Sequence, residues 1–212
     1  MEQYVNDFSK MALALTSAQM AKDDAVQEHG VGEELAIHFL AWVDDGLIAI
    51  CQMNAETVKL EPEIRFNRCK DLCKIMRKDM WASAITMVSE GYCSLDSSKT
   101  HDMDLSIAFA DPKMPVYECI TISHVSIEEE TGHIAPVSMV AAPYKVGVGR
   151  KVQWKEVLVY PEKAEEHTKQ AKYPSMLKRV MQMTPNDGIS DESLLETSQK
   201  IANLGFVVQS II

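Results

Sequence analysis

Leu35-Ala36-Ile37-His38-Phe39-Leu40-Ala41-Trp42-Val43, then Asp44-Asp45-Gly46, then Leu47-Ile48-Ala49-Ile50-Cys51-Gln52-Met53 is the stretch that decides the fold. As one apolar run it would be a buried helix. Asp45-Gly46 divides it instead into two strand-length halves, Leu35–Val43 and Leu47–Met53. Asp-Gly between apolar runs is a hairpin signal, because tight hairpin turns need positive φ and these residues tolerate it. The reading is therefore a β-hairpin.

Working outward, residues 2–27 lack Gly and Pro and place Tyr4, Phe8, Met11, Leu15 and Ala18 at helical spacing. This predicts a helix that ends at Gly30 and Gly32. After the hairpin, Glu61-Pro62-Glu63 opens a second helix, since proline suits a first turn and acids suit the positive end of the helix dipole. Its apolar stripe is Phe66, Cys69, Cys73, Met76 and Met80. A strand is expected near Ala84–Tyr92, then a long loop over 94–115 with one short strand at Leu105–Phe109. Three further runs, Tyr117–Ile127, Pro136–Val146 and Lys151–Val159, read as a meander with turns at Glu129–Gly132 and Gly147–Gly149. Helices at Ser175–Met183 and Asp191–Asn203 follow, the second capped by Ser190 and ended by Gly205. The apolar tail Phe206–Ile212 is either tucked against the body or donated to a second subunit.

Hairpins and helices without regular strand–helix alternation argue for an α+β fold. The expected architecture is an antiparallel sheet, made of the N-terminal hairpin and the C-terminal meander. Helices pack on one face and extra helices stand at both termini. The organisation reads as an N-terminal helix (1–30), an α+β core (31–160) and a C-terminal helical appendage (161–212).

The 212 residues carry a net charge of −10. That opposes a general nucleic-acid coat or a binder of anionic membranes, both of which need a positive field. No apolar run is long enough to span a bilayer, and the first residues do not form a signal peptide. Five scattered cysteines suit reduced thiols in the cytoplasm better than a disulfide framework. Cys69 and Cys73 share a helical face, yet no second pair completes a zinc set, so they read as core and no metal or cofactor is expected.

Two constellations could carry chemistry. The Pro62–Met80 helix holds Arg65, Arg68, Lys70, Lys74, Arg77 and Lys78, a basic face for phosphate, a nucleic-acid backbone or an acidic partner, or simply a solvated face. Glu90, His101, Asp102 and Asp104, with Glu118 and His124 across the sheet, could form an acid–base cluster around the long loop; alternatively the loop residues lie solvated and His124 is a hydrogen-bonded sheet residue. Gly147-Val148-Gly149 precedes a strand and not a helix, which makes it a turn and not a phosphate loop. No Walker, nucleophile-elbow or zinc-protease motif occurs, and no catalytic residue is assigned.

Ala36-Ile37-His38 before Asp45-Gly46, the basic helix, Met87-Val88-Ser89-Glu90-Gly91-Tyr92 and Pro115-Val116-Tyr117-Glu118 together resemble an uncharacterised α+β family of bacterial and phage proteins. The resemblance spans about residues 35–160. It implies the same order of elements and a phage or prokaryotic origin, and it supplies no functional residue. The expected function is a cytoplasmic accessory protein (in the host cytoplasm if phage-encoded), acting without catalysis by protein docking or self-association. The alternative is an enzyme or binder of an anionic small molecule, using the basic helix and the loop 94–115. Nucleic-acid binding through that helix is the weaker alternative.

Overall fold

The computed structural model describes residues 2–30, 34–96, 105–111, 113–128, 131–160, 172–186 and 191–211. Among the described residues, six helices and eight strands run in the order α1 (Glu2–His29), β1 (His38–Val43), β2 (Gly46–Met53), α2 (Ala55–Val58), α3 (Pro62–Lys78), β3 (Ala84–Ser94), α4 (Leu105–Ala108), β4 (Val116–Ser126), β5 (Ser138–Val146), β6 (Val152–Trp154), β7 (Leu158–Tyr160), α5 (Lys172–Met181), α6 (Asp191–Asn203) and β8 (Phe206–Ile211). All strands join one antiparallel sheet, ordered β6-β5-β4-β3-β1-β2-β8, with β7 also on β5. This is the α+β architecture read from the sequence, with helices at both termini.

The β1–β2 hairpin forms, but its turn sits one residue earlier than Asp45-Gly46. Val43 pairs with Gly46, and the positive φ falls on Asp44 at +51°. Asp tolerates that conformation. Asp44 is held there by its N–H donating to Ser83 Oγ at 2.8 Å, while its carbonyl accepts from Lys10 Nζ at 2.7 Å. Two other expectations change. Leu105–Ala108 is a helical turn and not a strand. The third meander strand is interrupted at Lys155–Val157, so that β6 and β7 lie along the same edge of β5.

Strand alternation builds two cores. Phe39, Ala41, Cys51, Met53, Ile85, Met87 and Val125 point to one face, where α3 supplies Cys69, Leu72, Cys73 and Met76, α5 supplies Leu177 and Met181, and α6 supplies Ile201. Leu40, Trp42, Ala84, Val88, Ile120, Ile122 and Val140 point to the other, where α1 lays Met11, Ala14 and Ala18. Burying a side chain of this size contributes roughly 1.5–3 kcal/mol. The stripe of α1 is rotated from the expected one: Phe8 is 59% exposed, whereas Lys22 is 3% exposed. Asp7 and Lys22 face the sheet because polar residues stand on that face of it.

The apolar tail is tucked. Phe206 is buried, stacks edge-on against Phe39 at 6.1 Å, and opens β8, which pairs with β2. Gly205 makes this possible with φ +85°, a position at which a Cβ would overlap Thr57 Oγ1. No helix among the described residues is long and apolar enough to cross a membrane.

Candidate functional site

Two polar assemblies lie on the α1 face of the sheet. At one end, His124 is fully buried in β4. Its Nδ1 lies 2.7 Å from Thr86 Oγ1, which accepts from Trp42 Nε1 at 2.9 Å. Its Nε2 faces Asp7 Oδ1 at 3.2 Å, and Asp7 Oδ2 accepts from Ser126 Oγ at 2.6 Å. An Asp–His–Thr line resembles a nucleophile relay. Thr86 is fully buried beneath α1, however, and no substrate atom could reach its hydroxyl. The assembly fastens α1 to the sheet, and His124 is a hydrogen-bonded sheet residue.

Burial raises the carboxyl pKa of Asp7, but bonds from His124 and Ser126 and the charges of His124 and Lys10 outweigh it and leave the value lowered. A depressed carboxylate adds stability above its unfolded pKa and loses it as pH falls through the folded value. The thermal midpoint of the native protein should therefore fall more steeply than that of Asp7→Asn between about pH 5 and pH 3. Parallel curves would remove the carboxylate's role.

At the other end of α1 lies the cleft. It occupies about 360 Å³. The lead-in Glu34–Ile37 forms one wall and Ser89–Tyr92 of β3 the other, with Glu118, Tyr144, Arg65 and Tyr173 around them. It exists because β3 and β4 run on past the start of β1: His38 pairs with Val88, whereas β3 continues to Ser94 beside Val116. Glu90 organises the inner wall. Its Oε1 binds Lys22 Nζ at 2.7 Å and accepts from Tyr144 Oη at 2.9 Å, and its Oε2 accepts from Leu35 N–H at 2.9 Å. Glu118 sits between Tyr92 and Tyr144 in the cross-strand row.

Burial raises the Glu118 pKa, Lys22 opposes this, and Glu90 and Glu34 add to it. A raised carboxyl contributes stability below its unfolded pKa and loses it as pH rises through the folded one. Glu118→Gln should therefore raise the thermal midpoint at pH 7, with the gain shrinking towards pH 4. A lower midpoint at pH 7 would contradict this.

Of the expected acid–base cluster, Glu90 and Glu118 line the cleft, His124 is buried away from it, and His101, Asp102 and Asp104 lie outside the described residues. The basic helix does not present its cations as one set. Arg65 reaches the cleft. Arg68 donates to Leu204 O at 3.0 Å and Thr57 Oγ1 at 3.3 Å, and Arg77 to Met183 O and Ala82 O at 2.9 and 3.0 Å. Lys74 pairs with Asp71 at 2.8 Å, Lys70 is exposed and Lys78 half-buried. Arg68 and Arg77 thus serve carbonyls that follow α6 and α5, which helix ends leave without partners.

Comparison with protein-family models, curated proteins and solved structures finds no match. No residue role is therefore carried over from a relative, and the site rests on its own geometry. Cys69 and Cys73 are buried in the core, where burial pushes the Cys69 thiol up to about 12. Thiols in that state are poor nucleophiles and poor metal ligands. Among the described residues no group of three His, Cys, Asp or Glu could hold a metal ion.

The residues that sequence reasoning missed are Asp7, Lys22, Thr86 and Tyr144. Their spacing signal was present for α1 alone, since Asp7, Met11, Ala14, Ala18 and Lys22 recur at three and four residues once charge is admitted to the inner face.

Beside the cleft mouth stands an apolar group. Tyr92 lines the cleft and meets Phe109 at a ring separation of 5.0 Å. Ile107, on the turn before Phe109, is 73% exposed, and Leu95 just beyond β3 is 44% exposed.

Proposed function

We propose that this protein is a non-catalytic docking protein that holds a segment of a partner protein at the β3 cleft and its apolar rim. The observation that carries the reading is Tyr92, which lines a cleft with polar walls and meets the exposed Phe109, with Leu95 and Ile107 exposed close by in sequence. Exposed apolar side chains gathered at one place and rimmed by polar groups mark interaction surfaces. The five cysteines are free, buried thiols, which supports a reducing, cytoplasmic setting.

An anionic ligand is the poorer fit. Glu34, Glu90 and Glu118 line the cleft against Arg65, with Lys22 already held by Glu90. The same balance disfavours a nucleic-acid backbone.

The test is selection of a displayed random peptide library on the native protein, followed by titration of the enriched peptides against two variants. Ile107→Asp should weaken them about tenfold or more, since it places a charge in the apolar rim. Val148→Asp, at a fully exposed position on the β5–β6 turn, should not. Failure to enrich any peptide, or equal binding to Ile107→Asp, overturns the reading.

A further inference from the structure

The cleft exposes a length of sheet edge as well as side chains. Met53 N–H donates to Ile37 O at 2.9 Å, and Leu95 N–H donates to Pro115 O at 3.1 Å. In an antiparallel ladder, each residue's N–H and C=O point to the same neighbour, and successive residues alternate. The first bond sets odd-numbered β1 residues towards β2, and therefore even-numbered ones towards β3. The second sets odd-numbered β3 residues towards β4. The β1–β3 and β3–β4 registers are unbroken, so both bonds agree. The main-chain groups of Glu90, Tyr92 and Ser94 point to the side that β1 has vacated. Among the described residues no backbone hydrogen bond reaches Glu90 or Tyr92 from that side, and Leu35 bonds instead to the Glu90 carboxylate.

We propose that the docked segment binds as an added β-strand, antiparallel to Glu90–Ser94, with a bulky apolar residue opposite Gly91 and basic residues on either side of it. This rests on the docking reading above and names its mode and the partner's chemistry. Strand addition draws affinity from main-chain bonds and specificity from pockets for alternate side chains. Gly91 supplies one pocket: nothing lies within 4 Å of where its Cβ would be. A residue opposite it would point to the α3 face of the sheet, where Met53, Val58 and Tyr173 line the cleft. Its two neighbours would stand opposite Glu90 and Tyr92 and point to the α1 face, the side of Glu118 and Glu90. Glu118 has no hydrogen-bond or ion-pair partner among the described residues, and a lysine or arginine stem is long enough to reach across from the added strand. No lysine or proline stands in Glu90–Ser94 to guard the edge, as edge strands commonly require.

The probe is the acetylated, amidated peptide Thr-Thr-Lys-Leu-Lys-Thr-Thr carrying a fluorophore, read by anisotropy. Binding should weaken about tenfold or more when both lysines are N-methylated on the backbone, which deletes the N–H groups directed at Glu90 and Tyr92. It should weaken comparably when glutamates replace the lysines, and in Gly91→Leu, which fills the pocket. Amide exchange at Tyr92 should slow on binding. Absence of binding, equal binding of the N-methylated form, or unchanged exchange at Tyr92 overturns strand addition. The docking reading survives those results if library peptides still bind and still fail on Ile107→Asp. If no library peptide binds at all, both fall.

Discussion

Lys22→Met is expected to lose about 3–5 kcal/mol of unfolding free energy in urea, because it strands a carboxylate inside the protein. Lys22 Nζ lies 2.7 Å from Glu90 Oε1, with the two side chains only 4% and 13% exposed. The pair is sealed on one side by α1 and stacked against Tyr144, whose ring lies 5.2 Å from the ammonium. Desolvating both charges is costly, so the intact pair adds little net stability, whereas removing one partner leaves the full cost of the other. Glu90→Gln should also destabilise, by leaving the ammonium buried. The double variant should lose less than the sum of the two, a coupling that a double-mutant cycle measures directly. A Lys22→Met loss below about 1 kcal/mol would mean that water or another cation serves Glu90, and would dismantle the account of the inner wall.

The same pair shows what sequence could and could not disclose. The longer elements were legible because they rest on local chemistry: Pro62 and Glu63 start α3, and alternating residues mark β4, whereas α2, α4 and β8 were not read as such. The polar part of the inner face of α1 was hidden because Asp7 and Lys22 point inward to His124 and Glu90, partners well over a hundred and nearly seventy residues away. Of the apolar stripe drawn for this helix, Met11, Leu15 and Ala18 do face the sheet, whereas Phe8 points outward. Turn placement failed for a related reason. Asp44 holds a positive φ because Ser83 and Lys10 stabilise it, and neither contact can be read from Asp-Gly itself.

The candidate site was legible only in fragments. Glu90 and Arg65 were named for different constellations, and only the sheet brings both to one cleft. The feature that makes the cleft is a mismatch of strand lengths: β3 has eleven residues and β1 six. Strand ends are what composition specifies least, since they depend on which neighbour stops first. The basic face was plain in the sequence. Its use was not, because the carbonyls that Arg68 and Arg77 bind belong to segments more than a hundred residues later.

Those distant carbonyls lead to the second large effect, at the junction of α6 and β8. Phe206→Ala is expected to cost about 3–5 kcal/mol, the range for an aromatic side chain deleted from a core. Phe206 is 2% exposed and its partner Phe39 fully buried, so the cavity left behind could collapse only by moving β8 away from β2. The neighbouring Val207, 53% exposed on the opposite side of the same strand, should tolerate Ala within about 0.5 kcal/mol. The contrast separates the two fates that an apolar tail allows. A tail tucked into its own chain gives a Phe206→Ala loss that does not depend on protein concentration. A tail donated to a second copy gives a loss that shrinks as concentration rises, because association then restores the missing contacts. Equilibrium unfolding of Phe206→Ala at two concentrations tenfold apart decides between them. With Gly205 turning the chain, Arg68 holding Leu204 O and Asn54 N–H donating to Gly205 O at 3.0 Å, the junction is anchored at three points before β8 begins. The expected result is therefore coincident midpoints.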